Sequence, residues 1–331
     1  MGIACGSQIV LCDLPVRLDT YSGCSHGCRY CFVKSKKDIA VIKPERCASN
    51  LKKFIAGQRS GDVAWCDWNI PLHWGGVSDP FQPAEKQNRA SWECLKVFAE
   101  TSYPFVFSTK GKLVADPEYL ALIRDCRCVA QVSIVCPKYD VMEQGAPSYE
   151  ERLGMCESLA RNTRRVVART QPYMPEVRED VLKGLPRLKS AGVYGVVFEG
   201  MKFKKAKQGL VKVGGDWCYP KAVLERDFAI LKQACRENGL RFFAGENRLR
   251  TMGDSMCCCG IENLEGFRGN SFNVLHLRSG DKVFPTERMK QTGTASCFHS
   301  IGQNSENDSR LKKNSFFSIM MEKFKEGRCG V

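Results

Sequence analysis

Thr20-Tyr-Ser-Gly-Cys-Ser-His-Gly-Cys-Arg-Tyr-Cys-Phe-Val33 sets three cysteines, Cys24, Cys28 and Cys31, at CxxxCxxC spacing. Three thiolates are one short of the four ligands a structural zinc ion takes. They are also one short of capping all four irons of a cubane cluster, and the iron left open is a place to bind and cleave a molecule. Zinc would need His26 or Cys47 as its fourth ligand. A disulfide framework is not expected, since no secretory signal is read ahead of the motif and 331 residues can bury a full core without staples. With 19 cysteines the spacing can also arise by accident, so its surroundings carry part of the argument.

Working outward, Arg17 to Ser22 reads as a short strand, Gly23 to Cys31 as a loop and Glu45 to Gln58 as a helix. The motif therefore follows a strand, where β/α barrels carry catalytic groups. Strand-then-helix units repeat downstream: Ile70 to Trp74 with Glu85 to Glu100, Phe105 to Phe107 with Pro117 to Arg124, and Val129 to Val135 with Ser148 to Arg161. Val166 to Arg169 precedes a helix over Val177 to Ser190, Gly195 to Phe198 one over Ala222 to Glu237, and Arg241 to Ala244 reads as a last strand. Such alternation predicts an α/β fold, a partial or nearly closed (β/α)6-7 TIM-like barrel over 1–246. A Cys-containing C-terminal extension over 247–331 follows it.

The cysteine spacing resembles that of the radical S-adenosylmethionine (radical SAM) superfamily. That resemblance implies a [4Fe-4S] cluster on Cys24, Cys28 and Cys31, with SAM chelated by the open iron and cleaved to a 5′-deoxyadenosyl radical. Tyr30 matches the aromatic expected near the adenine. Trp74-Gly-Gly-Val-Ser-Asp79 resembles the glycine-rich segment that meets the SAM amino group, with Val77 where a common version has Glu. Gly75, Gly76, Ser78 and Asp79 become cofactor candidates on that ground. Ser78-Asp-Pro-Phe-Gln-Pro-Ala-Glu85 looks like the D-P-[YF]-Q-P-x-E stretch of the spore photoproduct lyase and DNA repair photolyase-like branch. Ser108 and Lys110 lie where that branch carries a T-K pair, and Ser133 ends a strand as a hydroxyl within reach of SAM. Arg169 offers the fork geometry that pairs with a carboxylate. Glu199 and Glu246 end further strands as candidate substrate ligands or proton relays. The likeness spans roughly Arg17 to Glu246 and implies an enzyme of lyase or isomerase type, served by a reductant such as flavodoxin or ferredoxin.

Charge adds a partner. The net charge is +14, and Arg161 to Val213 holds thirteen Lys and Arg against four Asp and Glu. Met201-Lys-Phe-Lys-Lys-Ala-Lys207 concentrates four lysines after a predicted strand, with Phe203 and Trp217 available to stack on bases. A nucleic-acid substrate is expected, DNA ahead of tRNA, with cleavage of a lesion or rearrangement of a modified thymine as the chemistry. A peptide-modifying radical SAM maturase is the enzymatic alternative, and an Fe–S or zinc protein that merely binds nucleic acid is the non-enzymatic one. Cys257, Cys258 and Cys259 are adjacent, so their side chains diverge. They read as a thiol that returns hydrogen to a product radical, as ligands of a second metal with Cys218 or Cys297, or as packed thiols. A terminal helix is expected over Phe316 to Lys325. No stretch is apolar enough to span a membrane, Gly6 stands where a myristoylation signal wants Ser or Thr, and a cytoplasmic protein is expected.

Overall fold

The computed structural model describes residues 2–5, 12–35, 39–58, 63 and 70–269; the expected terminal helix and Cys297 lie outside them. Among the described residues the main sheet has eight strands: β1 (Ile3–Cys5), β2 (Val16–Leu18), β3 (Leu72–Trp74), β4 (Phe105–Thr109), β5 (Cys128–Ser133), β6 (Arg165–Tyr173), β7 (Gly195–Gly200) and β11 (Arg241–Ala244). They are hydrogen-bonded in that order. Every pair from β2 to β11 is parallel, and β1 joins the edge antiparallel. Seven parallel strands make the partial barrel that the alternating units predict, left open between β1 and β11.

Helices α1 (Cys47–Ile55), α2 (Glu85–Asn88), α3 (Ala90–Thr101), α4 (Pro117–Arg124), α5 (Tyr149–Ala160), α6 (Arg178–Ser190) and α7 (Lys221–Glu237) cross between successive strands. Strands covered on both faces read as apolar runs, and β4, Phe-Val-Phe-Ser-Thr, is buried at all five positions. Trp74, Phe81, Phe98, Phe105 and Phe107 are completely buried beneath α3, with Phe98 and Phe105 stacked 4.0 Å apart. Each such side chain contributes about 1.5–3 kcal/mol by leaving water. Helix α5 starts on a reciprocal cap, Ser148 accepting from the Glu151 N–H and Glu151 from the Ser148 N–H.

The sequence pattern predicts one helix from Glu85 to Glu100, yet the chain breaks at Arg89, which takes φ 55°. The cause is Glu85. Its buried carboxylate accepts the Ser91 and Trp92 N–H groups at 2.9 and 2.8 Å, capping α3 from outside, and takes the Tyr119 hydroxyl at 2.8 Å and that of Tyr21.

Two features lie outside the alternating pattern. After β7 the chain makes a second small sheet, β8 (Lys202–Phe203), β9 (Val211–Val213) and β10 (Asp216–Cys218), with β10 in the middle. Beyond β11, residues 254–266 pack under the N-terminal ends of the strands. Asp254 accepts the Phe242 N–H at 2.9 Å, Arg165 donates to the Gly260 and Glu262 carbonyls at 3.0 and 2.7 Å, and Gly260 rests on Val167. This segment is the barrel floor, opposite the loop that carries Cys24 to Cys31.

Candidate active site

The cysteine loop is held by protein groups on several sides. Gln82 accepts the Ser25 N–H at 2.9 Å and donates to the Gly23 carbonyl at 2.9 Å. His26 Nδ1 donates to the Gly145 carbonyl at 2.9 Å, and the Gly145 N–H returns to the His26 carbonyl at 3.1 Å. Only glycine fits there, since a Cβ on Gly145 would fall 2.6 Å from the Ser25 carbonyl. His26 Nε2 lies 3.1 Å from Asp79 Oδ2, an electrostatic contact poorly aligned for a hydrogen bond. Cys24, Cys28 and Cys31 are all free thiols. Burial pushes the Cys24 thiol up to about 11, aided by Asp79, and Cys28 is also raised by burial, with Lys110 opposing. Among the described residues no three His, Cys, Asp or Glu side chains close round a single ion. Cys47, the other zinc candidate, is buried on α1 with its thiol on the Asp19 carbonyl at 3.2 Å.

Asp79 serves the scaffold. Oδ1 accepts from the Phe81 N–H and the Thr109 hydroxyl at 2.9 and 2.7 Å, and Oδ2 from the Lys110 and Gly111 N–H groups at 2.6 and 3.3 Å. Burial pushes this carboxyl up, but His26 and the donors outweigh it and hold it near about 2. Lys110 and Tyr30 converge on Glu143, with the lysine ammonium 3.8 Å from the carboxylate and 5.7 Å from the Tyr30 ring centre. Glu143 is 1% exposed, so burial raises its pKa, and the equally buried Arg152 offsets that at 2.5 Å.

A belt of polar side chains crosses the barrel interior above the floor. His73 on β3 bonds Ser108 Oγ at 2.8 Å, and Ser108 donates to Gln131 Oε1 on β5 at 3.0 Å. Arg169 on β6 donates to Ser108 and Gln131 at 2.6 and 3.3 Å, and its other edge meets Gln171. Gln171 reaches Glu199, which pairs with Lys202. Burial, then Arg169 and Arg17, push His73 down to about 3, so its imidazole is neutral at cellular pH. Ser133, at the end of β5, is half-buried. Glu246 stands apart from the belt, accepting from Arg248 Nε at 2.8 Å.

The glycine segment fits a ligand. Gly75 takes φ 90°, and a Cβ there would meet the Ser108 carbonyl at 2.4 Å. Gly76 lies against Arg17, whose partner Asp19 accepts the Val77 and Ser78 N–H groups. The buried Ser78 hydroxyl has no partner among the described residues. Buried polar atoms are nearly always satisfied, so this orphan marks where a polar cofactor group fits.

The triplet at the floor divides by environment. Cys257 and Cys259 are buried and their thiols are raised. Hydrogen bonding from Cys259, then Arg250 and Arg169, outweigh burial and bring half-buried Cys258 down to about 6, while its carbonyl takes a hydrogen bond from Gln131 at 3.4 Å. A thiolate has no hydrogen atom to give, so hydrogen return by Cys258 requires it to be protonated first. Cys218 faces Arg248, Glu246 and Lys202 rather than the triplet.

Of the lysines in 202–207, Lys202 is on β8, which leaves β7 beside Glu199, and Lys204, Lys205 and Lys207 are on the loop between β8 and β9. Lys204, Lys205, Lys207 and Lys212 are exposed, Phe203 and Trp217 are register partners on β8 and β10, and Lys207 stands 4.8 Å over the Phe203 ring. His73, Gln131, Glu143 and Arg152 are not among the residues the sequence pattern marks. Their one signal is a polar residue at an inward position of an otherwise apolar strand, or a charge that proves to be buried.

No helix among the described residues is long and apolar enough to cross a membrane. No protein-family profile matches the chain. Uncharacterised proteins of Mycobacterium tuberculosis and Mycobacterium bovis are 24% identical over 212 residues, 59% of this chain and 62% of theirs. The chain thus spans 62% of the length of those relatives. Spore photoproduct lyase complexed with dinucleoside spore photoproduct superposes with a TM-score of 0.56 at 14% identity, over 70% of this chain and 76% of that one. A mutant of that lyase with bound AdoMet gives 0.56 at 13% identity, over 73% and 80%. SuiB of Streptococcus suis bound to its precursor peptide gives 0.50 at 10% identity, over 69% and 48%. What these structures share with the chain is the fold, a partial β/α barrel.

Proposed function

We propose that the chain is a radical SAM enzyme acting on a nucleic acid, DNA ahead of tRNA. The observation that carries this reading is the meeting of three free thiols, an unpartnered Ser78 hydroxyl and the Arg169 belt around one barrel interior. Cys24, Cys28 and Cys31 hold the [4Fe-4S] cluster. Reductive cleavage of SAM at such a cluster supplies a 5′-deoxyadenosyl radical able to take hydrogen from unactivated carbon. The chain's own residues bind and orient. Gly75 and Gly76 let the cofactor approach the backbone, Ser78 satisfies its orphaned hydroxyl on it, and Tyr30 and Ser133 flank it. Arg169, pre-set by Ser108 and Gln171, supplies a guanidinium for its carboxylate. Lys110 offsets negative charge beside Cys28. Asp79 shapes the site from below without offering a free oxygen.

The substrate reading rests on the lysine sheet. Exposed ammonium groups attract a phosphate backbone, and Phe203 and Trp217 offer stacking faces. Glu199, at the junction of belt and sheet, then faces the substrate, with Glu246 behind it and Cys258 below. Lesion cleavage and rearrangement of a modified thymine both suit such a site. A peptide substrate is the alternative, supported by the likeness to peptide-bound SuiB.

The test is anaerobic iron–sulfur reconstitution, then dithionite and SAM, with 5′-deoxyadenosine measured alone, with duplex DNA, with tRNA and with peptide. Deoxyadenosine stimulated by DNA supports the reading. A cluster-loaded protein that makes none, whatever is added, points instead to a nucleic-acid-binding Fe–S protein.

A further inference from the structure

The connection between β5 and α5, residues 134–148, grips the cysteine loop at three points. The Met142 carbonyl takes the Arg29 N–H at 2.9 Å, Gly145 exchanges hydrogen bonds with His26, and Glu143 accepts the Tyr30 hydroxyl. His26, Arg29 and Tyr30 fill the spaces between the cysteines, and Tyr30 stands directly before Cys31, whose N–H donates to the Cys28 carbonyl at 3.2 Å.

Glu143 is the charged member of this grip. Its carboxylate is 1% exposed and meets two cations, the equally buried Arg152 and the Lys110 ammonium at 3.8 Å. Arg152 has other partners: it donates to the Ser133 and Ser148 carbonyls at 2.9 and 3.3 Å and pairs with Asp140 at 3.1 Å. Lys110 does not, for among the described residues Glu143 is the one carboxylate within 4 Å of its ammonium, which stands 5.7 Å from the Tyr30 ring centre. Both charges are felt at Cys28. Beyond burial, the largest influence there is Lys110, which favours the thiolate, and the next is Glu143, which opposes it. A fixed charge beside a cluster shifts the energy of adding an electron, a negative one against it and a positive one in its favour.

We propose that Glu143 is a positioning residue: it holds Lys110 and Tyr30 against the cysteine loop and, with Lys110, sets the reduction potential of the cluster read there. The inference rests on the cluster reading above. Glu143 opposes entry of the electron, Lys110 favours it, and their pairing fixes the balance between them. No bond is made or broken, and in the assay below the electron comes from dithionite.

The experiment reads the midpoint potential of the reconstituted full chain, titrated anaerobically with dithionite and mediator dyes in the absence of SAM, with iron content measured on the same samples. Glu143→Gln keeps the shape and loses the charge, and its ratio of reduced to oxidised cluster at the parent's midpoint is expected to rise several-fold. Lys110→Met should lower that ratio several-fold. Glu143→Asp, which keeps the charge, should lie closer to the parent than Glu143→Gln does. Glu150→Gln, on the exposed pair with Arg187, should leave the midpoint unchanged. A merely structural role would shift Glu143→Gln and Lys110→Met in the same direction, through a loosened loop. That result overturns the proposal, as does the absence of a shift in both at full iron content. If Glu143→Gln takes up no iron, Lys110→Met decides alone, and a midpoint that stays or rises overturns the proposal. A parent chain that takes up no iron overturns the cluster reading and this inference with it, so the iron assay tells the two failures apart.

Discussion

Two sets of three cysteines sit at opposite ends of one barrel, and their surroundings differ more than their chemistry. Cys24, Cys28 and Cys31 lie on a loop at the mouth, with Cys24 and Cys31 partly open and the Cys24 and Cys28 thiols raised by burial. Cys257, Cys258 and Cys259 lie in the floor, where the Cys259 hydrogen bond, then Arg250 and Arg169, draw Cys258 down while its neighbours stay high. Spacing along the chain sets the first group apart as the proposed ligands, because a loop can turn three side chains inward. Adjacent residues cannot do that, so in the second set the charged groups nearby decide which thiol is reactive. Beside the Cys259 hydrogen bond, a buried guanidinium with no carboxylate partner among the described residues contributes: Arg250 is 5% exposed and donates to Asn247 Oδ1 at 2.8 Å, and the anion it favours is the Cys258 thiolate.

The sharpest way to break this contrast is to remove one thiol from each set. Cys28→Ala is expected to abolish iron uptake and deoxyadenosine formation together, whereas Cys258→Ala keeps its iron. Equal iron loss in both would erase the distinction. Next in size is the buried pair behind the mouth. Glu143→Gln removes one of the two carboxylates on Arg152, leaving Asp140 at 3.1 Å, and should cost about 1–3 kcal/mol in urea unfolding, with Tyr30 and Lys110 losing their common carboxylate. Arg169→Lys loses the fork and is expected to weaken SAM about tenfold or more by calorimetry, the loss of one charge-assisted hydrogen bond. Arg250→Met should raise the thiol titration of Cys258 from about 6 toward the ordinary cysteine range, slowing its labelling by methyl methanethiosulfonate at pH 7 several-fold. The mouth thiols should not respond to that change. The smallest effect belongs to pH. His73 is depressed to about 3 in the fold, so between that value and its ordinary 6.5 the unfolded chain binds more protons and stability falls as pH drops through this window. His73→Gln should flatten the decline, measured as Tm between pH 7 and 5.

The same contrast explains what was legible in the sequence. Helix α4 and strand β11 match their predicted bounds, Pro117 to Arg124 and Arg241 to Ala244, because a proline start signal and a compact apolar run are local. The break at Arg89 was not legible, since it depends on Glu85 finding Tyr119 and Tyr21 across the fold. The lysines after β7 were visible as charge, but strands of two or three residues have too few positions to show a period, so their small sheet was not. The loop that carries Cys24, Cys28 and Cys31 stands out in the sequence because the spacing of its thiols is written along the chain. His73 and Gln131 were not, because each is one polar residue in an apolar strand and its meaning depends on which neighbour the register supplies.

The grip of His26, Gln82 and Gly145 on the cysteine loop has a consequence for maturation. A loop that waited for iron to order it would spend much of the metal's binding energy on its own conformational entropy. Here protein hydrogen bonds have already set the turn, so under the proposed reading an incoming cluster meets a prepared receptor, and the iron-free chain is expected to keep the loop's conformation.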